Sequence, residues 1–421
     1  MKYLNLMKEY EGMKPGLSRI KKFLQSVGNP QDSFKCVQIA GTNGKGSTAV
    51  FLSSILKEHG YKTGLYTSPH LIDITERIKI DGKDISQTKL SSILQKYFEK
   101  AKEYKLSYFE YLTAAAFIYF CAEEIDIAVL ETGLGGRFDA TNIVKNVLAS
   151  IITGISFDHK EILGNTLSEI AYEKAGILKK KAFAISAPLA KPAFEQILKK
   201  SKPYVFGKDF NALNIHRDKE FQYFDYCGIN IKLDKLKIAM RGSHQIQNCC
   251  LAICCAELLL GLKLEREALI EAVSNAKWDA RFDIRKVLIK DKQIELIIDG
   301  AHNEEGIKSF IKTWQDNSYA LGKKTFIFAM MKEKNYSKII KIISPFASKI
   351  ILPALDNQRA VKTSVLKKEF SKSLKAENII ETDNIESVFK YIKNNEKTAV
   401  IGSLYLAGGV LKFLNEGGIY E

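Results

Sequence analysis

The segment "FKCVQIAGTNGKGSTAVFLSSILKEHG", Phe34 to Gly60, constrains the fold more than any other part of the chain. A short apolar run breaks at Gly41, passes Gly44, Lys45 and Gly46, and gives way to helical spacing at Val50, Phe51, Leu52, Ile55 and Leu56. A strand entering a helix through a tight loop satisfies all three parts. In such a loop the glycines let backbone N–H groups converge, the helix expected from about Ser47 aims its positive end at the same point, and Lys45 adds a full charge. That point suits a phosphate chain. The common nucleotide-loop pattern G-x-x-x-x-G-K-[ST] is only partly met, because Ile39 stands at the first glycine position and Gly46 follows the lysine. A generic loop of that kind is therefore not the best reading. The alternative, a glycine turn with an incidental lysine, is opposed by the strand before it and the helix after it.

The same alternation continues along the chain. Short apolar runs such as "DIAVLETG" and "VLASIITGI" are separated by longer helical patterns, which predicts parallel βαβ units and an α/β fold. After "NAKWDARFDIRK" it restarts with "IELIIDGAHN", "KTFIFAMMK", "KIILPAL" and "TAVIGSLYLAGG". With 421 residues, two domains of unequal size are expected: 1–284, carrying a parallel sheet and the phosphate loop, and 285–421, a smaller α/β domain. The opening "MKYLNLMKEYEG" has no apolar core of a leader, and no apolar run reaches the roughly 18 residues that span a bilayer. A cytoplasmic protein with no membrane contact is the expectation. Seven cysteines fit that compartment. Cys249, Cys250, Cys254 and Cys255 in "NCCLAICCAELLLG" read as buried small apolar residues, since adjacent pairs diverge around a helix and no histidine flanks them at zinc spacing. The net charge of +15 raises nucleic-acid binding, but only nine of the 63 basic residues are arginine and the lysines are scattered. No nucleic-acid partner is expected. The field favours anionic substrates such as ATP or a polycarboxylate.

In open parallel sheets, ligands collect at the carboxyl ends of the strands. Those ends here read "AGTNGKGST", "TSPHL", "ETGLGGRFDATN", "SFDHKEILG" and "DGAHN". Glu131 follows an apolar strand and precedes a glycine loop, which suits a carboxylate shared with metal-bound phosphates. Asp158 and His159 are expected to end another strand. Four of the six histidines, His70, His159, His244 and His302, fall in such polar motifs, which favours function over structure for them.

Taken in order, "GTNGKGS" (41–47), "YTSPHL" with "ERIKIDG" (66–82), "YFEYLT" (108–113), "ETGLGGRFDATNI" (131–143), "DHKEILGNTLSEIAYEKAGI" (158–177), "RGSHQIQN" (241–248), "DGAHN" (299–303) and "GSLY" (402–405) resemble the folylpolyglutamate synthases. Nearly the whole chain is covered. Bacterial members often add dihydrofolate synthase activity, and the family belongs to the Mur-type ligases, with a P-loop ATPase domain followed by a Rossmann-like C-terminal domain. The resemblance implies that Gly41, Thr42, Asn43, Gly44, Lys45, Gly46 and Ser47 cradle ATP, with Asn248, Arg281 and Asp299 as further nucleotide contacts. Ser68 and Glu131 would hold one Mg²⁺, and His159 with Lys174 a second. Lys174 matches a lysine that the family carries as a carbamate; a neutral amine near metals takes up CO₂ and presents a carboxylate, whereas an ammonium cannot ligate. Lys45, Glu131, His159 and Lys174 are then the catalytic set. His302 and Ser403 are matched near the transferred phosphate or the incoming glutamate.

The implied reaction transfers the γ-phosphoryl of ATP to a carboxylate, and the amine of L-glutamate then attacks the acyl phosphate. "MKPGLSRI" with Gly16 and Leu17, the stretch Ser107, Tyr108, Phe109 and Glu110, and Phe138, Asp139 and Ala140 resemble the pterin site of bifunctional members. The small-molecule partners implied are dihydropteroate, reduced folates and L-glutamate, acting on a monomer. A motif close to "DKD" in many relatives reads Glu333, Lys334, Asn335 here, which leaves glutamate-chain preference open. The alternatives are a monofunctional folylpolyglutamate synthase and a Mur-type cell-wall ligase. A non-catalytic nucleotide- or nucleic-acid-binding protein is the reading of a different class. It has no need of Ser68, Glu131, His159 and Lys174 together.

Overall fold

The computed structural model describes residues 2–6, 16–289, 291–316, 324–417 and 419–420. Met13, Lys14 and Pro15 of the "MKPGLSRI" motif lie outside the described residues. The chain forms two compact units, Met1–Ala239 with Gln245–Lys277, and Met240–His244 with Trp278–Glu421. The division thus falls at Lys277/Trp278, ahead of the 284/285 boundary expected from sequence. The strand Asp283–Ile289 pairs antiparallel with Lys292–Ile298 and travels with the second unit.

The first unit is built on an eight-stranded sheet. Its spatial order is Lys83–Asp84, Ile78–Ile80, Thr63–Tyr66, Ile127–Glu131, Lys35–Ala40, Val147–Ile152, Phe183–Ser186 and Tyr204–Val205. The six strands from Thr63–Tyr66 onward are parallel; the first two form an antiparallel edge. The strands Ile127–Glu131 and Thr63–Tyr66 are buried at every position, as expected of parallel strands covered on both faces. Because Ala40, Tyr66, Glu131 and Ile152 end parallel neighbours, the loops that follow them leave the same edge of the sheet. The helix Tyr108–Ala122 is apolar nearly all round, which is the signature of a core helix. It packs with Phe23, Phe34 and Tyr66 in one buried cluster.

A three-stranded antiparallel sheet of Asn211–Arg217, Gln222–Cys227 and Lys232–Ile238 was not anticipated. Its hairpin is fastened to the helix Ser243–Leu260 by Glu257, whose buried carboxylate accepts from Tyr226 Oη at 2.9 Å and from the backbone N–H groups of Ile229, Asn230 and Ile231. That helix carries Cys249, Cys250, Cys254 and Cys255, all free and fully buried. Burial pushes their thiols well above the usual range. Among the described residues one helix, Ser243–Lys263, is long and apolar enough to cross a membrane, and 72% of its apolar window is buried inside the protein.

The second unit has a seven-stranded sheet in the order Ile379–Thr382, Ala347–Pro353, Lys324–Phe328, Glu396–Ile401, Lys292–Ile298, Asp283–Ile289 and Ile419–Tyr420. The first five are parallel and the last two antiparallel. Its core gathers Phe282, Phe310, Trp314 and Phe326, with the Trp314 and Phe326 rings 5.5 Å apart.

Candidate active site

The glycine loop leaves the strand Lys35–Ala40 and enters the helix Lys45–Glu58. The helix starts at Lys45, before the Ser47 expected from sequence, because Gly44 takes a φ of +87° and caps it, its carbonyl accepting from Thr48 N at 2.9 Å. The loop is pressed against its neighbours. A Cβ on Gly41 would lie 2.0 Å from Thr153 Oγ1, and one on Gly44 2.5 Å from Asn248 Oδ1. Thr42 N donates to Gly154 O at 2.8 Å, and Thr153 Oγ1 to Asn43 O at 2.6 Å. Asn248 is buried against the loop and donates to Gln245 Oε1 at 3.0 Å, so Gln245 backs the residue that walls the loop. Gln245 was missed by sequence reasoning; its spacing of three from Asn248 on a helix was the available signal.

Glu131 ends its strand beside this loop, only 4% exposed. Its Oε1 lies 3.9 Å from Lys45 Nζ, and its Oε2 accepts from Ser68 N at 3.1 Å. Lys45 Nζ also donates to Thr42 O at 3.2 Å. Lys174, 4% exposed at the end of the helix Leu167–Lys174, donates to Gly41 O at 2.7 Å. Burial pushes its ammonium down to about 7, with repulsion from Lys45 acting the same way and the carboxylates of Asp158 and Asp139 opposing. Lys45, Glu131, Ser68 and Lys174 are thus drawn to one loop.

Asp158 and His159 do not end a strand: the strand closes at Ile152, and His159 caps the short helix Lys160–Leu163 with a φ of +49°. Its imidazole is 3.9 Å from Asp158 Oδ2, and its side chain is 41% exposed. No three His, Cys, Asp or Glu side chains converge as a metal cage among the described residues. The carboxylate of Glu131 is a hard oxygen donor beside the loop, which fits Mg²⁺, an ion held by one or two carboxylates together with waters and substrate phosphates.

A second group lies at the other helix starts of the first unit. Gly16 has a φ of +127°, and Leu17 precedes the helix Ser18–Ser26. Arg19 of that helix donates to Glu110 Oε2 at 3.1 Å, which ties this segment to the stretch 107–110. Ser107 and Glu110 form a reciprocal cap on the helix Tyr108–Ala122. Tyr108 carries the Arg77 guanidinium 5.8 Å from its ring centre. Phe109 lies against Gly133, where a Cβ would come within 2.5 Å of the ring. Asp139 is buried, and burial raises its carboxyl although it accepts from Leu134 N, Thr141 N and Thr141 Oγ1. Ala140 is buried beside it, while Phe138 is 44% exposed. Ser107, Glu110 and Asp139 therefore spend oxygens on local caps, and Phe138 presents its ring to solvent.

In the second unit, Asp299 follows the strand Lys292–Ile298 and accepts from Phe282 N and Ala301 N, both at 2.8 Å. Burial pushes its carboxyl up to about 6, although the Arg281 guanidinium pulls the other way. Arg281 Nη1 donates to Ala280 O at 2.9 Å and would lie 2.8 Å from a Cβ on Gly300. His302 Nδ1 is 2.8 Å from Gly300 O. Ser403 is 1% exposed, with Oγ accepting from Tyr405 N at 3.1 Å. His244 is held neutral, pushed down to about 4 by burial and by Arg281. At the departure noted in sequence, Arg359 donates to Glu333, and Asn335 caps the helix Tyr336–Ile343.

The Mur ligase middle domain matches residues 39–256, and the dihydrofolate synthetase C-terminal domain matches residues 281–413. The dihydrofolate synthase/folylpolyglutamate synthase of Bacillus subtilis is 32% identical over 422 aligned residues, covering 96% of each chain. The folylpolyglutamate synthase structure from Thermotoga maritima has a TM-score of 0.83 at 33% identity, covering 99% of this chain and 97% of that one. The folylpolyglutamate synthase of Mycobacterium tuberculosis, solved complexed with ADP and AMPPCP, has a TM-score of 0.88 over 99% of each chain; at 24% identity it shows a shared fold. The glycine loop and its carboxylate lie inside the first matched domain, and 96% of the chain aligns with the Bacillus subtilis relative, so the chain belongs to the dihydrofolate synthase/folylpolyglutamate synthase family of Mur-type ligases.

Proposed function

We propose that the protein is an ATP-dependent ligase that adds L-glutamate to dihydropteroate and to reduced folates, releasing ADP and phosphate. The observation that carries this reading is the convergence of Lys45, Glu131 and Ser68 on the glycine loop, with Lys174 buried against Gly41. The names of the relatives support the same activity.

In this reading the loop amides from Gly41 to Ser47 and Lys45 hold the ATP phosphates, with Asn248 beside them, and Asp299 and Arg281 are further nucleotide contacts. Ser68 and Glu131 hold one Mg²⁺, and His159 and Lys174, as its carbamate, a second. Mg²⁺, when bound, offsets the negative charge of the transferred phosphoryl group. Lys174 is suited to the modification because burial pushes its ammonium down to about 7, which raises the share of uncharged amine, the form that takes up CO₂. The acid substrate lies on the Phe138 side, its carboxylate receives the γ-phosphoryl group, and the amine of glutamate displaces phosphate to leave an amide. His302 and Ser403 serve the glutamate.

The test is ADP release with ATP, Mg²⁺ and glutamate plus either dihydropteroate or a reduced folate. Release with both acids supports the bifunctional reading; release with the folate alone reduces it to a folylpolyglutamate synthase; release with neither overturns it.

A further inference from the structure

The glycine loop after Glu131 and the end of the helix Leu167–Lys174 meet in a seam tighter than side chains permit. A Cβ on Gly176 would lie 2.3 Å from Arg137 Cα, and one on Gly136 2.9 Å from the Lys174 carbonyl oxygen. Arg137 N donates to Glu173 O at 2.8 Å. Asn142 Nδ2 donates to the carbonyls of Arg137 and Gly176 at 3.2 and 3.1 Å. Backbone contact and one amide already close this seam without any side chain at position 137.

The Arg137 side chain adds a second fastening. Its Nε lies 3.2 Å from both carboxylate oxygens of Glu173, and its Nη2 donates to Oε1 at 2.6 Å. The guanidinium carbon lies over two rings, 4.1 Å from the centre of Phe138 and 4.9 Å from that of Tyr172. With the two side chains 39% and 19% exposed, the pair contributes little to stability. A forked ion pair lying over two rings does fix direction, because the hydrogen-bonded fork holds guanidinium and carboxylate in one geometry and the rings crowd the guanidinium. Its position along the chain gives that constraint a use: Arg137 directly precedes Phe138, and Glu173 directly precedes Lys174.

We propose that Arg137 is a positioning residue that ties the orientation of Phe138 to that of Lys174 and, through the Lys174–Gly41 hydrogen bond, to the phosphate loop. The proposal rests on the reading above, in which Phe138 faces the acid substrate. Arg137 touches neither substrate in this arrangement; it sets the distance between the surface that receives the acid and the amine behind the phosphates. A lysine at 137 keeps the charge but loses both the fork and the planar group over the rings.

Arg137→Ala, Arg137→Lys and Glu173→Gln in the full chain test it. Initial rates are measured against dihydropteroate, a reduced folate and ATP, alongside thermal melting and backbone amide exchange over residues 41–48. Arg137→Ala should lose roughly ten- to hundredfold in kcat/KM for the acid, the scale of a small misplacement of reacting groups. KM for the acid should rise more than KM for ATP, Arg137→Lys should fall between, and exchange over 41–48 should accelerate in Arg137→Ala. Unchanged KM values with only a lowered melting temperature would reduce Arg137 to a stabilising contact and overturn the proposal. So would amide exchange over 41–48 that matches the unsubstituted protein. If the unsubstituted protein turned over neither acid, the functional reading would fail, while the exchange measurement would still decide whether Arg137 holds the loop.

Discussion

Lys174 Nζ donates a 2.7 Å hydrogen bond to the carbonyl of Gly41, a residue 133 positions earlier in the chain. The bond brings the helix Leu167–Lys174 to the first glycine of the phosphate loop and keeps the amine out of water. If Lys174 acts as a carbamate, Lys174→Ala should be inactive yet folded. Formate or acetate should restore part of the turnover by occupying the vacated position. Steady-state rates with and without added carboxylate check this, and ordinary activity in the alanine variant would make Lys174 a structural lysine only.

Lys45 and Glu131 are partners at 3.9 Å, so their removal should separate two effects. Lys45→Ala should lose turnover by about two orders of magnitude or more, since in the proposed reading it deletes the charge that faces the transferred group. Glu131→Gln keeps the shape and removes the negative charge. It should also collapse activity, and raising Mg²⁺ in the assay should recover little. Both variants should melt close to the unsubstituted protein.

Gly44 combines a φ of +87° with contact to Asn248, so an alanine there is disfavoured twice. The left-handed backbone alone costs about 1–2 kcal/mol for a residue with a Cβ. Gly44→Ala should therefore lower the urea midpoint and weaken ATP binding together. Gly60, which shares a positive φ but has nothing within 4 Å of a Cβ, provides the control: Gly60→Ala should show the backbone cost without loss of nucleotide.

Asp299 gives a pH dependence with a defined sign. Its carboxyl is raised from 3.8 to about 6 in the folded protein, so between those values the folded state binds more protons than the unfolded one. Its contribution to stability is therefore fully present below about pH 4 and is lost as pH rises through about 6. Asp299→Asn should remove that part of the slope. It should also destabilise the second unit by about 1–3 kcal/mol, because an amide cannot accept from both Phe282 N and Ala301 N as the carboxylate does. Denaturant titrations at several pH values read both effects.

The parallel cores were legible because continuous apolar runs such as "DIAVLE" have one stable use between covered faces. The strand, glycine loop and helix of residues 35–58 were legible because glycine and lysine spacing encodes backbone geometry directly. The strand Asp283–Ile289 was not, since "DIRKVLI" interleaves charge with apolar residues as a hairpin strand requires, and the domain boundary was placed inside it at 284/285. The sheet around residues 211–238 was missed for a related reason: Asn214 and Lys235 take positive φ within it, and its alternation is broken by irregular register. The extended loop before His159 hides the end of its strand, because "TGIS" continues the apolar pattern beyond the last paired residue. The Arg137–Glu173 pair joins residues 36 apart, and nothing local in either motif announces the other.

The helix with four sealed thiols also makes the first unit self-reporting. Cys249, Cys250, Cys254 and Cys255 are shielded from reagent and held as thiols by burial, whereas Cys121 and Cys227 are only half-buried. An alkylating reagent therefore has a fast class and a slow class of target in one chain; Cys36, buried in the strand Lys35–Ala40, joins the slow class, and the four helix thiols become available only when the helix leaves its packing. The rate at which mass accumulates on those four sulfurs is a clock for opening of this unit, and nucleotide added to the mixture would slow that clock in proportion to how firmly it locks Asn248 against the loop.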